Sequence, residues 1–362
     1  MREKSKRQKA TYDYTGLYNR THPSGSVLNE FTSRGKDEEL PLHLIQLKLS
    51  MTYNTEETMG LLKEYCLLTE NDWNMRLGLE YLYMNAYFNE LTVLIRRNKE
   101  SDNEENQQWG RLYELILDRM LGRVGSHAFL DGLNGIRLMS KELTFVVTYF
   151  VGASYGDMRR YGVMGNYYSR LSKQRDDIED PMLLSFIEMK MNDFMFHYHW
   201  RRNELVLARK HGYWTLNHSQ SSYKKVQTHE NLALSYLLES YEQAMYHIHE
   251  AKKMAEQHRY HTRLSVLCNN DIPFIAAYHG QADGIETTDE IEQAHLHIAK
   301  GNIEEALEIL LPIESPTPFQ QYYLGKALKD QKLLWESYHR FKNEWGHYYF
   351  AQLPVQELKK LQ

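Results

Sequence analysis

ETTDEIEQAHLHIAKGNIEEALEILLPIESPTPFQQYYLGKALKDQKLLWESYHRFKN, residues 286–343, carries one pattern twice. A small residue stands where a first helix would touch its neighbour, Ala294 and then Gly325, 31 residues apart. Twelve residues after each comes a second small residue, Ala306 and Ser337, and four further on a large apolar one, Leu310 and Phe341. Small side chains let two helices approach closely, and the large one fills the groove between successive pairs. Gly301-Asn302 breaks the first pair at the right place. A repeat of roughly 34 residues with this spacing is that of tetratricopeptide hairpins. The phrase Tyr241-Glu242-Gln243-Ala244 matches Ile303-Glu304-Glu305-Ala306, which makes three hairpins in the C-terminal half. The expected fold is all-α, a right-handed superhelical solenoid of helical hairpins. Such solenoids hold another molecule in a concave face.

The rest of the chain agrees with helix. Its 362 residues include only 8 Pro, and β-branched runs are rare. The net charge is -5, from 48 acidic and 43 basic residues, so nothing global points to nucleic acid. The two cysteines, Cys66 and Cys268, sit far apart in apolar helical contexts, which suits buried thiols in a reducing compartment. No apolar run is long enough to span a membrane, and no secretory signal opens the chain, so a cytoplasmic place is expected. Tyrosine is abundant, 27 residues, and either lines a groove or packs between helices with its hydroxyls wet.

Two divisions are expected: residues 1–36, a basic arm with a partial helix-turn-helix-like region, and residues 37–362, the helical-repeat body. Short helices are expected at 11–20 and 25–32, fewer than a complete helix-turn-helix domain needs. Lys4, Lys6, Arg7, Lys9, Arg20, Arg34 and Lys36 are candidate DNA contacts, to phosphates rather than to bases. A solubilising tail is the other reading of the arm. In the body, Asn54-Thr55-Glu56-Glu57 and Asn71-Asp72-Trp73 read as helix starts, and Glu179-Asp180-Pro181 as the start of a long helix to about residue 200. The apolar run Leu143–Phe150 reads as a central helix in this context. A further helix is expected to open at Asp157-Met158-Arg159-Arg160, and residues 123–135 look loose.

Along the long helix, Glu188, Asn192, Met195, His199 and Arg202 form one stripe. Asn192, His199 and Arg202 can bond the backbone or carboxylate of an extended peptide, or can be an exposed polar flank. Asn269 and Asn270 are a second pair suited to a peptide backbone, or else a helix C-cap before the break at Pro273. At the far end Phe341, Trp345, Tyr348, Tyr349, Phe350, Leu353, Val355 and Leu358 either cap the solenoid or form a subunit contact. Of these, Trp345, Tyr349, Phe350, Leu353 and Leu358 are the candidate dimer residues.

Chemistry for catalysis is not legible. His197 and His199, His247 and His249, and His295 and His297 are each two apart and point to different helix faces. The acidic run Asp176–Asp180 lacks a calcium loop's glycine and oxygen spacing. There is no P-loop, GxSxG or CxxC. No enzyme activity, metal or cofactor is expected.

The phrases Leu17-Tyr18-Asn19, Leu28-Asn29-Glu30-Phe31, Leu62-Lys63-Glu64-Tyr65-Cys66-Leu67, Leu79-Glu80-Tyr81, Leu267-Cys268-Asn269-Asn270, Glu292-Gln293-Ala294-His295, Tyr322-Tyr323-Leu324 and Leu353-Pro354-x-x-Glu357-Leu358 occur in that order. In order and spacing the chain resembles the arbitrium communication-peptide receptors of temperate Bacillus phages, peptide-sensing tetratricopeptide regulators. The resemblance implies a homodimer joined at its C-terminal end that binds promoter DNA and controls the lysis–lysogeny decision. A short phage-encoded communication peptide in the concave groove would modulate it. It implies Asn192, Asn269 and Asn270 for the peptide backbone. The family's acidic contact falls near Trp345-Gly346, so that role passes to Glu344. The N-terminal region is shorter than the family's DNA-binding domain. The alternative is a scaffold or antagonist that binds a partner protein or a full-length relative without touching DNA.

Overall fold

The computed structural model describes residues 25–32 and 35–361. The expected helix at 11–20 lies outside these residues. Every regular element among them is helical. Contacts divide the chain into two compact units, one ending at Met75 and one beginning at Arg76.

The first unit holds α1 (Gly25–Thr32), α2 (Leu42–Ser50), α3 (Thr55–Leu68) and the start of α4 (Asp72–Met84). As the sequence led one to expect, Asn54 caps α3: its side chain accepts from the Glu57 amide and the Glu57 carboxylate accepts from the Asn54 amide. Asn71 opens α4 by accepting from the Asn74 amide at 3.0 Å. The core polar group is the buried Glu39 carboxylate, which accepts from the Tyr65 hydroxyl, the Thr69 hydroxyl and the Glu70 amide. Asn74 ties the segment before α2 to α4, donating to Leu40 O at 2.9 Å and accepting from Leu42 N at 3.1 Å. A buried carboxylate is tolerated only with such partners.

The second unit is a series of antiparallel helix pairs. α5 (Phe88–Lys99) packs on α6 (Glu104–Met120), then α7 (Ser126–Asn134) follows. α8 (Lys141–Asp157) packs on α9 (Tyr161–Arg175), α10 (Pro181–Arg201) on α11 (Leu205–His218), and α12 (Ser222–Tyr236) on α13 (Tyr241–Gln257). The Leu143–Phe150 run lies in the N-terminal half of α8 and is buried along most of its length. Two sequence readings are corrected. Asp157 ends α8 instead of opening the next helix, which begins at Tyr161 after Arg159 turns the chain at a φ of 63°. Residues 126–134 are an ordered helix whose buried side, Phe129 and Leu133, is too short to show a period. Gly152 has a packing role that its sequence context hid. A Cβ there would lie 2.9 Å from Tyr167 Cβ and 3.1 Å from the Phe194 ring, so α8, α9 and α10 meet at that point.

Charge is buried here as well. Lys190 Nζ on α10 lies 2.9 Å from Glu80 Oε1, with the rings of Tyr83, Tyr149 and Phe150 each 4.8 Å from it. The Tyr113 hydroxyl donates to the other Glu80 oxygen. Burial pulls the Lys190 ammonium down from its ordinary range, and Glu80 opposes that.

After α13 come α14 (His261–Val266), a π-helical turn (Leu267–Asp271) and α15 (Ile272–Tyr278). The expected break at Pro273 is instead a continuous helix with one wide turn. Pro273 has no N–H to give to the carbonyl of Asn269, so the helix widens, and Ile272 N–H bonds Leu267 O. The freed Asn269 carbonyl accepts from the Thr287 hydroxyl at 2.6 Å.

The last pairs are α16 (Glu290–Lys300) with α17 (Ile303–Leu310) and α18 (Pro318–Leu328) with α19 (Gln331–Asn343), followed by α20 (Gln352–Lys360). The quoted repeat is their contact surface. Ala294, Ala306, Leu310, Gly325, Ser337 and Phe341 are all buried. Ser337 satisfies its hydroxyl on Pro318 O at 2.8 Å. A Cβ on Gly325 would lie 3.0 Å from Leu334 Cγ and 3.1 Å from Leu334 N. The hairpin spacing is therefore set by the absence of a side chain. Gly325→Val should destabilise the protein by about 1–3 kcal/mol in chemical denaturation. Gly60→Ala, where nothing lies within 4 Å, should be neutral or stabilising by up to about 1 kcal/mol.

Candidate ligand groove

Three polar clusters lie along α10 to α18. The first joins α10 and α11. Asn192 Nδ2 donates to Glu188 O at 2.8 Å, and Asn192 Oδ1 lies 2.8 Å from His211 Nδ1. His211 stacks on His199 with ring centroids 5.7 Å apart. His199 Nδ1 meets Glu204 Oε2 at 2.5 Å, and Arg202 Nε donates to Glu204 Oε1 at 2.8 Å. Burial, then the neighbouring His199, pushes His211 down to about 4, so it is neutral and its Nδ1–H serves Asn192. Asn192, His199 and Arg202 thus belong to one network, already satisfied by the chain itself.

The second cluster lies between α11, α12 and α13. Tyr213 OH is 3.1 Å from Tyr236 OH and 3.0 Å from His247 Nε2, and His247 Nδ1 faces His229 Nδ1 at 3.0 Å. Burial, then His229 and Arg209, holds His247 down at about 4. Arg209 lies flat over the Tyr236 ring at 3.6 Å.

The third cluster lines a pocket of about 240 Å³, with Asn270, Asp271, Glu292 and Tyr323 as its polar walls and Phe274, Phe319 and Phe350 as its apolar ones. The π turn aims Asp271 here. Among the described residues its Oδ2 is buried with no hydrogen-bond partner. Burial lifts the Asp271 carboxyl well above the ordinary range, Glu230 adds to this, and Arg263 opposes it. Glu292, bonded by Tyr323 OH at 3.0 Å, is pushed up to about 8 by burial, with Tyr323 pulling back and Asp289 adding. Glu230 is raised by burial although Arg263 Nη1 lies 3.2 Å away. Glu230 and Asp271 therefore share one guanidinium, that of Arg263, and Glu292 acts on Asp271 from the other side. Burial favours the protonated form of both lining acids, and a cation entering the pocket would favour their ionised form.

The remaining sequence candidates fall elsewhere. Asn270 is in the pocket, donating to Asp289 Oδ2 at 3.0 Å. Asn269 is a stitch to the loop before α16: its Oδ1 accepts from Thr288 N at 3.0 Å and its Nδ2 donates to Ser265 O at 3.0 Å. Neither residue is a helix C-cap. Glu344 is exposed and accepts from Arg340 Nε at 3.0 Å at the end of α19. Lys4, Lys6, Arg7, Lys9, Arg20 and Arg34 lie outside the described residues, and Lys36 pairs with Asp72 at 3.1 Å. Tyr349, Phe350, Leu353 and Leu358 are buried in their own chain, and Trp345 lies under the Arg159 guanidinium at 4.1 Å. A surface for a second copy at this end would have to be built from exposed neighbours such as Tyr348 and Trp335. Asp271, Glu230 and Glu292 were not singled out as site residues, and only the chain's folding brings them together. The one sequence signal was Pro273 inside a helical pattern, which marks the wide turn. Among the described residues no three His, Cys, Asp or Glu gather to hold a metal, and no helix is long and apolar enough to cross a membrane.

The chain is similar to the AimR transcriptional regulator of Bacillus phage phi3T, 22% identical over an alignment 332 residues long that covers 88% of this chain and 85% of that one. It superposes on a solved structure of phAimR with ligand at a TM-score of 0.79 and 20% identity, covering 90% of this chain and 99% of that one. On selenomethionine phAimR the TM-score is 0.68 at 20% identity, covering 93% of this chain and 89% of that one. A family model described as AimR transcriptional regulator-like matches residues 58–360, and the chain belongs to that family.

Proposed function

We propose that this protein is a peptide-responsive transcription regulator of a temperate phage, in which a short communication peptide enters the groove and alters promoter binding. The observation that carries the reading is the acid-lined, phenylalanine-walled pocket around Asp271 and Glu292. Asn270 offers an amide for a peptide backbone, the phenylalanines cover apolar parts, and the carboxylates suit one cationic side chain. A cationic side chain gains an ion pair by ionising these acids, and a neutral side chain gains none, which is the basis of discrimination. Asn192, His199, Arg202, Asn269 and Glu344 flank or support the groove in this reading. The segment before residue 37 supplies phosphate contacts through its basic residues, and the body acts as a homodimer. Regulation then requires that the peptide favour one arrangement of the pair over another.

Three measurements test this. Calorimetry with short peptides carrying one Lys or Arg should show affinity rising with pH through about 8 and then levelling, since binding releases protons from Glu292 and Asp271. Asp271→Asn should weaken such peptides at least roughly tenfold. Flat pH dependence, or equal affinity for a norleucine peptide, would remove the acidic pocket from recognition.

The same acids fix a stability prediction. A carboxyl raised to about 8 from an ordinary 4.5 contributes stability while protonated, and that contribution is lost as pH rises from 4.5 through 8. Glu292→Gln should therefore raise the melting temperature at about pH 8.5, by about 2 °C or more, and leave it unchanged near pH 4.5. Unchanged melting at both values would mean that Glu292 is ionised in the free protein.

For the regulator itself, a mobility-shift assay with the promoter upstream of the gene should show a complex that short peptide alters, and that is lost when residues 1–35 are deleted. Absence of any shift at low salt would favour a scaffold role instead.

A further inference from the structure

The segment between α19 and α20 folds back across α8, α9 and α10. There Arg119, Arg159, Tyr161, Trp200, Arg201 and Trp345 wall a cavity of about 360 Å³, separate from the acidic pocket apart from Phe350 at its edge. Its charge is one-sided. Three guanidinium groups face a single carboxylate, Asp157, which lies 3.4 Å from Arg119 Nη2. The Arg159 guanidinium lies over the Trp345 ring at 4.1 Å and that of Arg201 over the Tyr161 ring at 4.8 Å. Stacking holds a guanidinium by its face and leaves the N–H groups at its edge free to donate.

The polar atoms left over are all donors. Arg119 Nε, Arg201 Nε and Trp200 Nε1 are shielded from solvent and have no acceptor among the described residues. Trp200 is only 5% exposed, and its indole N–H is shielded from solvent where the side chains now stand. Native chains rarely leave such donors unpaired without a purpose. The positive field is visible in a neighbour: His347, buried against the same wall, is held well below its ordinary range by burial, then by Arg201 and His197. It is neutral and adds no competing acid.

We propose that this cavity is an oxyanion site, which takes the carboxylate or phosphate group of a small ligand whose body lies against Trp200 and Trp345. Small adjustments of the Arg201 and Arg119 side chains bring their unpaired N–H groups onto the anion, the bidentate mode at which arginine excels. The site draws on α6, α8, α9, α10 and the C-terminal segment. An anion bound there therefore fastens the C-terminal segment to helices more than a hundred residues away in sequence. This inference does not depend on the acidic pocket being a peptide site.

The test uses the full chain. Tryptophan fluorescence and melting temperature are followed against inorganic phosphate, with chloride at matched ionic strength as control, and against one short peptide prepared with a free and with an amidated C-terminus. A saturable change with phosphate, or with the free-acid peptide but not its amide, supports the site; the first result assigns a small free anion and the second a peptide terminus. In either case Arg201→Gln and Arg159→Gln should each raise the apparent dissociation constant about tenfold or more. Trp200→Phe, which keeps a ring and removes the N–H, should raise it severalfold. Arg159 is exposed, so its variant keeps the test valid if Arg201→Gln folds poorly. No saturable change with either probe, or unchanged binding in Arg159→Gln and Arg201→Gln, overturns the proposal.

Discussion

One phenol holds the far end of the second unit to its middle. Tyr349 OH lies 2.9 Å from Leu234 O and 3.0 Å from Ser235 O, and accepts from Leu238 N at 3.1 Å. These are the carbonyls and amide at the end of α12, where a helix has few partners of its own and side chains from elsewhere supply the rest. The ring is buried beside Trp200 and Phe350, and Tyr348 N adds a bond to Arg201 O at 2.8 Å. A buried unsatisfied helix end costs about 1–3 kcal/mol per group. The C-terminal segment thus gives Leu238 N its acceptor, while Leu234 O also takes Leu237 N and Ser235 O also takes Arg209 Nη2 at 2.5 Å. Phe350, next in sequence, is a wall of both the acidic pocket and the arginine-rich cavity. Whatever moves this segment moves both.

The acidic pocket and the arginine-rich cavity are opposite solutions to the same problem. Burial penalises charge of either sign. Asp271 and Glu292 answer by keeping their protons, as their raised ranges indicate. Arginine cannot answer in that way, because it does not lose its proton. Its guanidinium groups instead stack on Trp345 and Tyr161 and keep partial exposure. Lys190 shows a third solution, a direct ion pair with Glu80 inside an aromatic box. The two unresolved charge problems, not the resolved one, are where a ligand gains most by binding. A ligand that favours one charge state over the other at such a site shifts the balance between the two.

The sequence made local structure legible wherever one helix's own pattern was enough. The capping box at Asn54 and Glu57, the proline start of α10 and the contact residues Ala294, Ala306, Gly325 and Ser337 all stand where their spacing put them. Legibility failed where a short element carried too few periods, as in α7, or where a proline changed a turn's width without ending the helix, as at Pro273. Of the groove candidates, Asn270 reaches the pocket, while Asn192, His199 and Arg202 spend their hydrogen bonds on Glu188, Glu204 and His211. A stripe on one helix reveals which residues share a face, but not what the next helix brings to meet them.

By itself, the sequence determined the helical hairpins and the family, because a 3.6-residue period and small-residue contacts are written within tens of residues. Only the tertiary structure decided that Glu230 and Asp271 meet Arg263, that Glu292 joins Asp271 at one pocket, or that Arg119, Arg159 and Arg201 share one wall. Those meetings depend on how helices far apart in the chain cross and on where the C-terminal segment returns. Burial, which sets the charge state of each group, is a property of all those neighbours at once and has no local signature.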